Sequence, residues 1–156
     1  SFQGGVHGGH LTSGTYEQRL QLWDWSSKQR VRSMPELHNE TDVMSVATSP
    51  NRKSMAAGSA DGCIHIYDAE TALPLGQLRS GRTDPVLCVA YSPDGSQIAS
   101  GASSGTIAIW NLNTCVCLDR WHAHMGYVLS IAYGGTNGSL LATGGQDQCA
   151  RIWSSQ

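Results

Sequence analysis

The sequence predicts an all-β chain built from a repeated four-stranded unit. An aromatic closes an alternating apolar run at Trp23, Tyr67, Trp110 and Trp153, with spacings of 44, 43 and 43 residues. Gly14, Gly58, Gly101 and Gly144 keep the same spacings, and Ser49-Pro50 returns 43 residues later as Ser92-Pro93. Several markers on one period indicate stacked supersecondary units. Composition agrees: only 14% of the 156 residues are charged and 18 are glycine, which suits tight turns. No stretch holds a helical apolar period for long.

The elements follow in order within each period. A first strand is expected over residues 43–47, 86–90 and 128–132, where apolar positions three apart with small partners suit a strand packed on both faces. A turn follows at Pro50-Asn51, Pro93-Asp94-Gly95 or Asn137-Gly138. Proline sets φ there and glycine supplies positive φ. The second strand lies over residues 55–58, 98–101 and 141–144. The third, over residues 20–23, 64–67, 107–110 and 150–153, alternates with a period of two. A weaker fourth strand occupies residues 30–34, 73–78 and 116–121.

A unit of about 43 residues with a Ser-Pro-Asp-Gly turn and the endings Trp23-Asp24, Tyr67-Asp68, Trp110-Asn111 and Trp153-Ser154 resembles the WD repeat (WD40). The resemblance runs from about Leu11 to Trp153 and implies a β-propeller. At this repeat length, 156 residues make about 3.6 blades of a ring of about seven or more. Residues 1–29 form a partial blade, 30–72 and 73–115 each a blade, and 116–156 a blade lacking its last strand. The rest of the propeller is expected from the same longer chain or from another chain.

The resemblance also implies a structural hydrogen-bonded set in each blade: a His before the first strand, a Ser or Thr on the second, an Asp in the next turn and the Trp of the third. A buried imidazole needs partners for both ring nitrogens, and a carboxylate and a hydroxyl supply them. The last repeat matches throughout, with His124, Thr143, Asp147 and Trp153. The repeat before it has Ser100 and Trp110, but Arg82 and Ser104 stand in place of His and Asp. The first full repeat has His38, Asp61 and Tyr67, with Ala57 in place of the hydroxyl. The leading partial blade has Ser13 and Trp23, with Glu17 for the Asp.

A Ser or Thr, a His and an Asp in one blade also resemble a hydrolase triad. The structural role is favoured, and no catalytic residue or cofactor is expected. Cys115, Cys117, His122 and His124 bring metal-ligating types together. The two cysteines are expected on one face of a strand, His124 has its structural role, and the cysteine spacing suits zinc poorly, so no metal is expected. The glycine-rich opening around His7 lacks the lysine and following helix of a phosphate loop.

The net charge is −2, and the one basic run, Lys28, Arg30 and Arg32, is short, so no direct nucleic-acid contact is expected. No apolar stretch approaches the roughly 20 residues of a membrane span, and no membrane contact is expected. Five cysteines without a dense framework read as free thiols of an intracellular protein, cytoplasmic or nuclear.

The expected function is a non-catalytic scaffold that binds protein or peptide partners within a multiprotein complex. The alternatives are a substrate-binding propeller of a larger enzyme complex and a subunit of a nucleic-acid-associated complex. The degenerate repeat over residues 79–110 is similar to that of WD-repeat subunits of RNA-decay assemblies. The resemblance places partners where the loop before the first strand and the turn after the second rise to one face. Those places hold Asp42, Met44, Pro85, Leu87, Tyr127 and Leu129, flanked by Tyr16, Ala60, Ser103 and Gln146, with Arg82 in the position of a structural His. The same side chains could instead pack between neighbouring blades.

Overall fold

The computed structural model describes residues 10–14, 20–24, 27–33, 41–79, 81 and 83–154. These form four antiparallel sheets. The first holds β1 (His10–Gly14), β2 (Leu20–Asp24) and β3 (Gln29–Ser33). The second holds β4 (Val43–Thr48), β5 (Ser54–Ser59), β6 (Cys63–Asp68) and β7 (Pro74–Arg79). The third holds β8 (Val86–Tyr91), β9 (Gln97–Ala102), β10 (Thr106–Asn111) and β11 (Val116–His122). The fourth holds β12 (Val128–Gly134), β13 (Leu140–Gly145) and β14 (Ala150–Ser154). A 3-10 turn at Thr136–Gly138 is the one helical element among the described residues, and no helix there is long and apolar enough to cross a membrane.

The sheets are the blades that the repeat predicts, but they divide the chain differently from the repeat boundaries. The strand that opens each sequence repeat pairs with the preceding unit: β7 closes the sheet of residues 43–79, and β11 that of residues 86–122. A short hairpin turn joins it to the third strand, so it stays on that sheet.

Serine and its turn partner shape the link between first and second strands. Ser92 donates to Asp94 at 2.5 Å and accepts the Gln97 N–H at 2.9 Å. Ser49 does the same with Asn51 at 2.8 Å and the Ser54 N–H at 3.0 Å. Such side-chain closure is why Ser-Pro recurs with the period.

The blades stack through their inner strands, β4 against β8 and β8 against β12. Ile64, Val86, Val89, Ile98 and Trp110 fill the space between the second and third sheets. Cys88, Ile107, Val128, Ile131 and Leu141 fill that between the third and fourth. The periodic glycines are explained by this stacking. A Cβ on Gly101 would lie 2.5 Å from Val128 Cγ1, and one on Gly58 would lie 2.9 Å from Val86 Cγ1.

Each inner hairpin carries a bulge at the same place. Val43 pairs with Ser59 and Ser45 with Gly58, which leaves Met44 unopposed. Leu87 and Leu129 are left out of their ladders in the same way. A bulge re-aims its side chain and twists the strand.

Candidate functional site

His124, Thr143, Asp147 and Trp153 join in one hydrogen-bonded set. His124 is 1% exposed, and its Nδ1 and Nε2 lie 2.8 Å from Asp147 Oδ1 and 2.8 Å from Thr143 Oγ1. The Trp153 indole donates to Thr143 Oγ1 at 3.0 Å. The Asp147 carboxylate can only accept, which places an imidazole proton on Nδ1 and leaves Nε2 to accept the Thr143 hydroxyl, which itself accepts from Trp153. This is also the orientation of a hydrolase triad, so what opposes a nucleophilic role is the burial of the hydroxyl and its bond from Trp153. The Thr143 hydroxyl is buried and committed to the two rings.

Asp147 is the hub. Its Oδ2 accepts from Arg151 at 2.7 Å and from the Met125 N–H at 3.2 Å, and its Oδ1 also accepts the Cys149 N–H at 3.2 Å. The His124 N–H first, then Arg151 and the two backbone donors, outweigh burial and hold this carboxyl well below the usual carboxylate range. Arg151 Nη1 also lies 2.5 Å from His124 Nδ1, but that nitrogen already carries its proton, so the carboxylate is the acceptor.

The two other sets are reduced in different ways. In the third sheet the Trp110 indole donates to Ser100 Oγ at 2.9 Å, while Ser104 donates to Thr106 Oγ1 at 3.1 Å in place of an imidazole. A shallow cleft opens beside them, lined by Asp84, Ser100, Ser104, Trp110 and Arg120. In the second sheet Ala57 offers no hydroxyl, and a Tyr, which has no ring N–H to satisfy, replaces the Trp. Burial first, and then the Asp61 charge, push the Tyr67 phenol up to about 12. Asp61 Oδ1 accepts the Cys63 N–H at 2.9 Å. Burial works to raise the Asp61 carboxyl, but the Cys63 N–H, His65 and Ser59 hold it below its ordinary value.

The rim residues gather into three equivalent clusters. The Ala60 N–H donates to the Asp42 carbonyl at 2.9 Å, that of Ser103 to Pro85 at 2.9 Å, and that of Gln146 to Tyr127 at 2.8 Å. Each bond ties the turn after a second strand to the segment before a first strand, next to the bulge residue. Met44, Tyr127 and Leu129 are 39%, 48% and 58% exposed. Asp42, Ala60, Pro85, Leu87 and Ser103 are half-buried and Gln146 is exposed. His38, Tyr16, Glu17 and Arg82 lie outside the described residues.

One expectation changes. Cys115 precedes β11 at φ 56 and does not share a strand face with Cys117. Asn111 Oδ1 accepts the Asn113 and Thr114 N–H groups at 2.9 and 3.0 Å, and this turn carries the chain through Cys115 before the strand begins. Sequence reasoning also missed Arg151 and His65. Both stand four residues after the blade carboxylate, in Asp147-Gln-Cys-Ala-Arg151 and Asp61-Gly-Cys-Ile-His65, and that shared spacing was the available signal.

The model of the WD domain, G-beta repeat, matches residues 29–68, 74–111 and 115–154. The chain is also similar to the kinesin-like protein KIF21A of Homo sapiens, 23% identical over 81 residues, which are 52% of this chain and 5% of that protein.

Proposed function

The chain belongs to the WD40 repeat family, and from that premise we propose that it is a non-catalytic scaffold of a multiprotein complex. Repeats of this family generally mediate protein–protein interaction. The reading places the partner, a protein or peptide, on the face where β4, β8 and β12 begin. The observation that supports it most is the threefold recurrence of one rim cluster. In each, a backbone bond fixes the turn and a bulge takes an aliphatic side chain out of its ladder. Tyr127 adds an aromatic of large area and few rotors beside Leu129. Met44 contributes an adaptable apolar contact. All five cysteines are free thiols, which suits the cytoplasm or nucleus.

Photo-crosslinking tests the reading. A photoreactive residue at position 127 or 44 should capture one recurrent partner, and one at position 94 or 52, at the far ends of the same strands, should not. Substituting Tyr127→Ala should abolish capture from position 44 with an unchanged melting temperature. Capture from positions 94 and 52 alone would move the binding face to the other side.

A further inference from the structure

The turn between β5 and β6 and the strand that follows place three metal-ligating groups together. Asp61 closes the turn, and Cys63 and His65 share one face of β6 by the two-residue period of a strand. A carboxylate oxygen of Asp61, Cys63 Sγ and a His65 ring nitrogen all lie within 4.8 Å of one another. Cys63 is 0% exposed, and the His65 and Asp61 side chains are 9% and 12% exposed.

Two polar atoms in this cluster lack a hydrogen-bond partner among the described residues. They are Asp61 Oδ2 and His65 Nε2, and both are buried. They face each other at 3.4 Å. Burying such atoms unpaired is costly. Two blades on, the residue at the same offset is Arg151, and it closes on its carboxylate at 2.7 Å. In the first full blade the equivalent pair lies at 3.4 Å without a hydrogen bond between the two atoms.

We propose that Asp61, Cys63 and His65 bind a divalent transition-metal ion of the zinc class. Bonds of about 2.0–2.1 Å at a tetrahedral ion set oxygen and nitrogen donors about 3.3–3.4 Å apart. That matches the separation of Asp61 Oδ2 and His65 Nε2, 3.4 Å. Asp61 Oδ1 is occupied by the Cys63 N–H at 2.9 Å, which leaves Oδ2 for the ion. The Arg79 Nε–H donates to Cys63 Sγ at 3.2 Å and supports a thiolate from outside the coordination shell. On binding, Cys63 releases its proton to solvent and ligates as thiolate, while neutral His65 offers the Nε2 lone pair. The mixed sulfur, nitrogen and oxygen set favours zinc-class ions over calcium or magnesium. Three protein ligands leave a tetrahedral ion one further position.

The test uses the chain with its exposed or half-buried thiols removed (Cys115→Ser, Cys117→Ser, Cys149→Ser), titrated with Co²⁺. The expected result is one ion per chain, with tetrahedral ligand-field bands and a thiolate charge-transfer band. Adding Cys63→Ser should remove the charge-transfer band, and Cys63→Ser or His65→Gln should weaken binding at least about tenfold. An ion pair alone between Asp61 and protonated His65 gives no such spectrum and overturns the proposal, as does a charge-transfer band that survives Cys63→Ser. If a variant fails to fold, X-ray absorption of the zinc-loaded parent decides. A shell with one sulfur and an imidazole supports the site, and a shell without sulfur overturns it.

Discussion

Gln146 and Tyr127 hold each other twice: the Gln146 N–H donates to the Tyr127 carbonyl at 2.8 Å, and Gln146 Oε1 accepts the Tyr127 N–H at 3.3 Å. The clamp is made with backbone groups of Tyr127, so its ring is not required to maintain it. The next residue, Val128, is 0% exposed and packs against Gly101 and Cys88. The two neighbours should separate in a stability measurement. Tyr127→Ala should cost no more than about 0.5 kcal/mol, and Val128→Ala about 2 kcal/mol through lost burial and a cavity. Similar denaturation midpoints for the two would mean that the Tyr127 ring is packed between blades and is not offered at the rim.

His124 and His122 offer a second contrast over two residues. His124 is buried with both ring nitrogens bonded, and His122 is exposed at the end of β11. His124→Ala strips Thr143 and Asp147 of their partner and should cost about 1–3 kcal/mol. His122→Ala should stay within about 0.5 kcal/mol. Chemical denaturation of both variants checks the register of the last blade, since equal losses contradict it.

The last blade should also be sensitive to acid. A carboxyl whose folded pKa is lowered contributes its full stability above its unfolded value, near about 3.9, and loses it as pH falls toward the folded pKa. Asp147 is such a group, held down chiefly by His124. At neutral pH, Asp147→Asn should be the less stable protein. The gap should narrow as pH falls below about 4, because the parent loses the contribution that the variant never had. A gap that widens on acidification would show that Asp147 is not the anchored carboxylate.

The strand pattern was legible because both interfaces of a blade select residues with the same period. Gly58 and Gly101 recur because the next blade's valine sits on each, and Ser49 and Ser92 recur because each closes its own turn. The complete set was legible for the same reason, since each of its four members occupies a fixed register position. Bulges were not legible. Met44 and Leu87 are ordinary strand residues by type, and only the pairing shows that they lie outside the ladder. The Asp61–Cys63–His65 cluster is hidden in the sequence because the repeat pairs Asp61 with a residue before the strand, while the groups that converge on it come after. The turn position of Cys115 is hidden as well, because a left-handed φ has no signature in a cysteine.

The aromatic and the hydroxyl should behave as a coupled pair. Trp110 and Trp153 each donate to a Ser or Thr on the neighbouring strand, and Tyr67 accompanies Ala57. Tyr67→Trp alone would bury an indole N–H without this acceptor, and Ala57→Ser alone would bury a hydroxyl without this donor. Each should cost about 1–2 kcal/mol. The double variant should recover about 1 kcal/mol relative to the sum. A double-mutant cycle that shows no coupling would separate the two positions.

Gly105 joins the degenerate blade to the complete one. Its carbonyl accepts the Ala123 N–H at 2.8 Å and the His124 N–H at 3.1 Å, so it fixes the backbone that presents the imidazole. Its φ is +82, and a Cβ there would collide with the His124 carbonyl oxygen and lie 2.7 Å from that of Gly126. Gly105→Ala therefore carries both the left-handed backbone penalty and a clash with main chain that cannot rotate away. The expected cost is about 3 kcal/mol or more. Gly76 is the control, because a Cβ on it meets nothing within 4 Å. Gly76→Ala should change stability by no more than about 1 kcal/mol in either direction. Any part of the penalty that reaches the His124 ring should vanish in a His124→Ala background, whose set is already broken, while the left-handed backbone and the main-chain clash still cost. Full additivity of the two losses would show instead that the cost is confined to the turn and does not reach the ring.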